Sequence, residues 1–200
     1  MDYLNKFVES IRFLEKFEKE FRREKIDYKK ITEDIHNSCI DKDLNNFLDL
    51  RLGEAASIFI QNSTISLENL CHSVSQQFYE NWMRQPIGEL APVAVTIGNV
   101  KFKGKELYEV SRSSIKRIMA KGFSPEENLE LHVWLTFPNM TVLDLTIVPT
   151  LISKGQASYS DFNNCNYVIW KEGEHENLEY IPFLRHNNFM YIVDRVSGYM

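Results

Sequence analysis

Apolar residues recur at three- and four-residue steps from Asp2 to about Lys25, where Leu4, Phe7, Ile11, Leu14, Phe17 and Phe21 form a stripe widened by Val8. That period puts them on one side of an α-helix, so the first element is predicted to be amphipathic. A second helical stretch runs from about Tyr28 through Ile31, Ile35 and Cys39. A third runs from Leu44 through Leu48 towards Phe59, with Asp41 as N-cap between the two. The polar run Gln61 to Asn69 breaks the pattern, after which Leu70, Val74, Phe78 and Trp82 fall four apart on a fourth helix.

Beyond the Arg84 to Gly88 turn the period changes. Ala91 to Val100 is rich in β-branched residues and predicts a strand, with Lys101 to Val110 as its partner or extension. Ser111 to Lys121 predicts a short helix stopped by Gly122, and Ser124 to Asn128 a loop. From Leu129 to Ile147, LELHVWLTFPNMTVLDLTI, two alternating runs meet at a Pro-Asn pair and predict a hairpin. Leu129, Leu131, Val133 and Leu135 share its apolar face, while Glu130, His132, Trp134 and Thr136 point the other way. Asp144 shares its face with Val142 and Thr146. A loop of Phe137 to Asn139 centred on Pro138 sets His132 directly opposite Asp144, roughly 4.5–5.5 Å apart at Cβ, which brings a carboxylate within reach of an imidazole. A helical turn over Pro149 to Lys154 and strands over Tyr167 to Trp170, Leu178 to Leu184 and Phe189 to Val193 complete the chain.

Helices followed by a mostly antiparallel sheet give an α+β class. Residues 1–60 are expected to form a helical segment packed on a core of residues 61–200, in one compact unit. With 200 residues and 44% apolar side chains the chain can bury such a core. A net charge of −5 gives no electrostatic reason to expect a nucleic-acid or anionic-membrane partner. The basic residues between Lys19 and Lys30 are interleaved with Glu20, Glu24 and Asp27, as on a solvated helix face. No secretory signal opens the chain, and no apolar run approaches the roughly eighteen residues of a membrane span. Three widely spaced cysteines suit a reducing compartment, so a cytoplasmic location is expected. No cofactor or metal is expected: no phosphate-binding loop occurs, and neither His36 near Cys39 nor His175 among Glu172, Glu174 and Glu176 has ligand spacing.

Of the cysteines, Cys39 falls on an apolar stripe and Cys165 in a polar loop. Cys71 stands in the first turn of the fourth helix, where unpaired N–H groups and the helix dipole favour a thiolate. It lies beside the buried stripe with Ser75 and Phe78, so locally it reads either as a nucleophile or as a helix-packing cysteine. A cysteine at a helix start followed by strands bearing His132-Val133-Trp134 and Asp144-Leu145-Thr146 resembles the transglutaminase-like and papain-like cysteine enzyme superfamily, in a small bacterial branch. The resemblance covers about Ser66 to Thr150 and leaves the N-terminal helices outside it. It departs at Asn69-Leu70-Cys71-His72, where the family often has Gly-x-Cys followed by Gly or Trp.

The resemblance implies a cysteine-bearing helix packed on an antiparallel sheet, with Cys71 as nucleophile, His132 as base and Asp144 as the group that orients it. The oxyanion would meet the Cys71 N–H and one side-chain donor, for which Asn69 is preferred over Asn62 and Gln76, although Asn69 also fits as the helix N-cap. Trp134 would shield the His-Asp pair, line the acyl cleft, or simply pack under a helix. His72 is the weaker candidate base. The expected function is hydrolysis of an amide in a peptide or protein, as a peptidase, isopeptidase or glutamine deamidase. Acyl transfer by the same triad and a non-catalytic binding or inhibitory module, with the N-terminal helices occupying the cleft or docking a partner, are the alternatives.

Overall fold

The apolar stripes and alternating runs become eight helices and six strands in the computed structural model, which describes residues 2–17, 26–122 and 130–192. The first helix beyond Phe17, the Ser124 to Asn128 loop, Leu129 and Val193 lie outside the described residues. Three helices each start on an aspartate cap. The Asp2 side chain accepts from a first-turn N–H of α1 (Tyr3–Leu14), Asp27 from two of α2 (Tyr28–Ile40), and Asp41 from two of α3 (Lys42–Asn62). The fourth, α4 (Cys71–Met83), starts on Leu70 and carries no side-chain cap. After the short α5 (Ile87–Leu90) come α6 (Arg112–Lys121), opened by a Ser111 capping box and closed by Gly122 at φ 78°, and α7 (Ile147–Ser153). A 3₁₀ turn spans Tyr159–Phe162.

The strands are β1 (Ala94–Phe102), β2 (Lys105–Glu106), β3 (His132–Thr136), β4 (Val142–Asp144), β5 (Val168–Trp170) and β6 (Leu178–Arg185). All pairings are antiparallel, in the order β2-β1-β3-β4-β5, with β6 on the other edge of β1. The sheet curls until its ends meet: Trp170 of β5 donates its indole N–H to Leu178 O of β6 at 3.0 Å. The class is therefore α+β with a curled antiparallel sheet. Of the predicted partner Lys101 to Val110, only Lys105 and Glu106 pair with β1, across a tight turn at Lys103 and Gly104. The last predicted strand is instead a helical turn over residues 189–192. Asn187 ends the ladder by taking the Val95 N–H on its side chain (3.1 Å), and Phe189 turns into the core.

The hairpin is real, but its loop is Pro138 to Met140 rather than Phe137 to Asn139. Met140 takes φ 63°, and Phe137 N–H bonds Thr141 O at 2.9 Å. Leu135 thus faces Leu143 and Thr136 faces Val142, which makes His132 a diagonal neighbour of Asp144 rather than its direct partner. Both faces of the hairpin are buried. Val133, Leu135 and Leu143 pack with Leu48 and Leu52 of α3 and Phe78 of α4. On the reverse face Trp134 and Val142 pack with Tyr3 and Phe7 of α1 and Ile147 of α7. His132 and Asp144 are therefore interior groups, at 0% and 1% exposure.

The seat of α4 follows from the short length of β4. The Phe137–Thr141 bond shows that the odd-numbered residues of β3 turn their backbone groups towards β4. Because β4 ends at Asp144, the carbonyls of Leu131 and Val133 have no strand partner there. Helix α4 takes the vacant edge: Ser75 Oγ donates to Val133 O at 3.1 Å, and Cys71 Sγ, one turn earlier, lies 3.9 Å from Leu131 O.

At Gly98, opposite His132, β6 bulges: Ile97 pairs with Leu184 and Gly98 with Pro182. A Cβ on Gly98 would sit 2.0 Å from Ile181 O and 2.8 Å from the Trp134 ring. Gly98→Ala is expected to destabilise the fold by about 1–3 kcal/mol through overpacking, read as a lower urea midpoint at unchanged m-value.

Candidate active site

The site is assembled from the ends of four elements. Asp144 stands where β4 turns into α7, and its Oδ1 accepts the N–H groups of Thr146 and Ile147, each at 3.0 Å, and the Thr146 hydroxyl at 3.2 Å. Its Oδ2 accepts the Tyr180 hydroxyl at 2.9 Å and His132 Nε2–H at 2.6 Å. Burial alone would favour a protonated carboxyl here. The neighbouring His132 cation and these hydrogen bonds reverse that and hold Asp144 below the usual carboxylate range.

The His132 ring lies between two aromatic rings. Tyr108 stacks on one side, with centroids 5.3 Å apart and planes 13° apart, and Trp134 on the other at 6.1 Å and 27°. Both faces of an imidazolium thus meet electron-rich π surfaces, which favour the cation. Trp134 is fixed from behind, because its indole N–H donates to Tyr3 Oη (2.8 Å), which in turn shares a hydrogen bond with Thr136 Oγ1 (2.8 Å). Desolvation would lower the His132 pKa, but the charge of Asp144 and the Cys71 sulphur push it up to about 10.

Cys71 is 7% exposed at the uncapped start of α4. Its thiol interacts with His132 and, more weakly, with His72. Nε2 is occupied by Asp144, so Nδ1 is the nitrogen left for the sulphur, and the Tyr108 hydroxyl also approaches it at 3.2 Å. Burial would raise the thiol pKa; the His132 cation, with help from His72, brings it down to about 6. Both shifts favour a thiolate–imidazolium pair.

This group opens into a cleft of about 400 Å³ lined by Asn69, Cys71, His72, Tyr108, Glu130, Leu131, Thr150 and Lys154. Among the described residues, none of the first sixty lines it. A larger groove of about 800 Å³ between α3, α4 and α5 holds aromatic and aliphatic side chains but no cysteine or histidine. Among the described residues no group of three His, Cys, Asp or Glu side chains could hold a metal, and no helix is long and apolar enough to cross a membrane.

Cys71, His132 and Asp144 are thus brought together. Asn69 lines the cleft but is not the helix cap: it takes φ 59°, its N–H donates to Thr150 Oγ1 at 3.2 Å, and the cap position falls to Leu70. Asn62 and Gln76 point elsewhere, their amides donating to Ile58 O and to Glu80. Trp134 backs His132 from inside the core and is absent from the cleft. Tyr108 and Tyr180 were not legible in the sequence, since each reaches the site from an element distant along the chain. A tyrosine in a loop or on a strand carries no periodic signal of such a role.

No family model, no curated protein and no solved structure matches this chain. The chemistry of the site therefore rests on its geometry. Asp144→Asn keeps an oxygen for the Thr146 and Ile147 N–H groups but removes the charge that holds His132 cationic. Wild-type alkylation by iodoacetamide, mapped to Cys71 by mass, is expected to follow a midpoint near pH 6. In Asp144→Asn that midpoint should rise towards the ordinary thiol value of about 8.5.

Proposed function

We propose that the protein is a cysteine-dependent hydrolase of amide bonds, with Cys71 as nucleophile, His132 as acid–base and Asp144 as its orienting carboxylate. The observation that carries this reading is the interior His132–Asp144 hydrogen bond of 2.6 Å, which leaves the other imidazole nitrogen for the Cys71 thiol that lines the adjoining cleft. A histidine with one nitrogen on a buried carboxylate keeps one tautomer and one orientation, which is what a nucleophile's partner requires. The helix-start cysteine beside an antiparallel sheet also supports the resemblance to the transglutaminase-like and papain-like superfamily.

In the proposed reaction the Cys71 thiolate attacks the substrate carbonyl carbon. The sulphur–carbon bond forms and the carbonyl π pair moves onto oxygen. Collapse of that intermediate breaks the carbon–nitrogen bond, and the departing amine takes the proton from His132 Nδ1. Neutral His132 then takes a proton from water as the water attacks the thioester, and Cys71 leaves as thiolate, which restores the ion pair. The Cys71 N–H, unclaimed by any side-chain cap, is left to donate to the oxyanion. Trp134, Tyr3 and Tyr180 hold the His–Asp pair dry from behind.

The test is turnover of a pool of fluorogenic peptidyl amides and glutamine-containing peptides, with Cys71→Ala as control. The thiolate is needed for attack, so rates are expected to rise as pH passes about 6. The imidazolium is needed to protonate the leaving amine, so they are expected to fall as pH passes about 10. Equal rates for wild type and Cys71→Ala would sink the reading. Faster discharge of a trapped acyl-enzyme by added amines than by water would assign acyl transfer instead.

A further inference from the structure

We propose that the Tyr108 hydroxyl is the side-chain donor to the oxyanion, and so a further catalytic residue of the cysteine chemistry proposed above, on which this inference rests. The candidates suggested by nearness along the chain do not fill that place. Asn62 and Gln76 are directed away from the cleft, and Asn69 stands at its wall with a left-handed backbone. Tyr108 lines the same cleft as Cys71, and its hydroxyl reaches the imidazole nitrogen that serves the sulphur, at 3.2 Å. The hydroxyl and the sulphur thus open on one cleft, beside the place where a carbonyl carbon would join the sulphur.

The position is built rather than incidental. Asn99 of β1, 1% exposed, brackets the backbone of this residue: Oδ1 accepts the Tyr108 N–H at 3.1 Å and Nδ2 donates to Tyr108 O at 2.8 Å, while the same side chain also takes the Val100 N–H (2.8 Å) and donates to Glu106 (3.0 Å). The ring is clamped as well, with His132 stacked on it and Lys154 Nζ 5.5 Å from its centroid. A donor held this way needs no reorganisation when charge develops on the carbonyl oxygen, the condition under which such donors are most effective. Burial, together with the negative charges of Cys71 and Asp144, raises the Tyr108 pKa, so the hydroxyl keeps its proton and can donate. Tyr108 and the Cys71 N–H together supply the two hydrogen bonds that an oxyanion hole provides.

Two reagents separate this role from a merely supporting one. Iodoacetamide alkylates the thiolate by displacement and forms no oxyanion. p-Nitrophenyl acetate acylates it through a tetrahedral oxyanion, whose collapse breaks the carbon–oxygen bond and releases p-nitrophenolate. Tyr108→Phe keeps the ring on His132 and removes only the hydroxyl. It is expected to alkylate at Cys71 within about twofold of wild type, while its p-nitrophenolate burst slows by about 100-fold, the usual effect of deleting one oxyanion donor. The proposal is overturned if both reactions slow together, which would make Tyr108 a positioning group, or if acylation is unchanged or faster. It is also overturned if Asn69→Ala, and not Tyr108→Phe, selectively loses acylation. Failure of the wild type to react at Cys71 with either reagent would be a different result, removing the cysteine mechanism itself and this role with it.

Discussion

A carboxylate taken out of water keeps its charge only if its lone pairs are all engaged, and the arrangement of the Asp144 side chain meets that demand. One oxygen ties down the turn from β4 into α7 through Thr146 and Ile147, while the other collects the Tyr180 hydroxyl and His132. Three parts of the fold, the hairpin, the helix after it and the far strand β6, thereby converge on one ion. The state of His132 follows from it, and the state of Cys71 follows from His132. The aromatic rings of Trp134, Tyr180 and Trp170 wall this chain of charges off from solvent on the α1 side of the sheet.

Much of this was legible in the alternating run around Pro138, and for a definite reason. The observed loop sits one residue later than the predicted one, yet such a slide of an odd-length loop leaves the parity of both strands unchanged. His132 and Asp144 therefore stay on one face although they are diagonal neighbours rather than direct partners. The aspartate cap of α3 and the glycine stop of α6 were equally readable, because caps are local chemistry. Cys71 was placed at a helix start, but what joins it to His132 is the shortness of β4, and that is a tertiary fact.

What stayed hidden depends on non-local contact. Hydrophobic periodicity says that α1 has a buried stripe but not against what; it lies on the reverse face of the sheet, where Tyr3 braces Trp134. For the same reason the cover over the face bearing His132 stayed open, since alternation marks one face as apolar and is silent on whether the other is covered. Phe189 resembled a strand residue, yet Asn187 had already closed the ladder with its side chain. Tyr108 owes its place to Asn99, a polar residue in the middle of a β-branched run that periodicity alone passes over.

The clasp between the two ends of the described chain also bears on how the protein comes to life. Tyr3 N–H bonds Glu172, Lys6 pairs with Glu179, and the brace behind His132 is shared by Tyr3 and Tyr180, groups separated by most of the sequence. Contacts of such span are slow to form and cannot exist on a growing polypeptide before β6 has left the ribosome. Until then α1 has no strand to lie on and Asp144 lacks one of its donors. The interior that encloses the His132–Asp144 pair is therefore complete only once β6 lies between β1 and α1, which couples the two ends of the described chain to its centre.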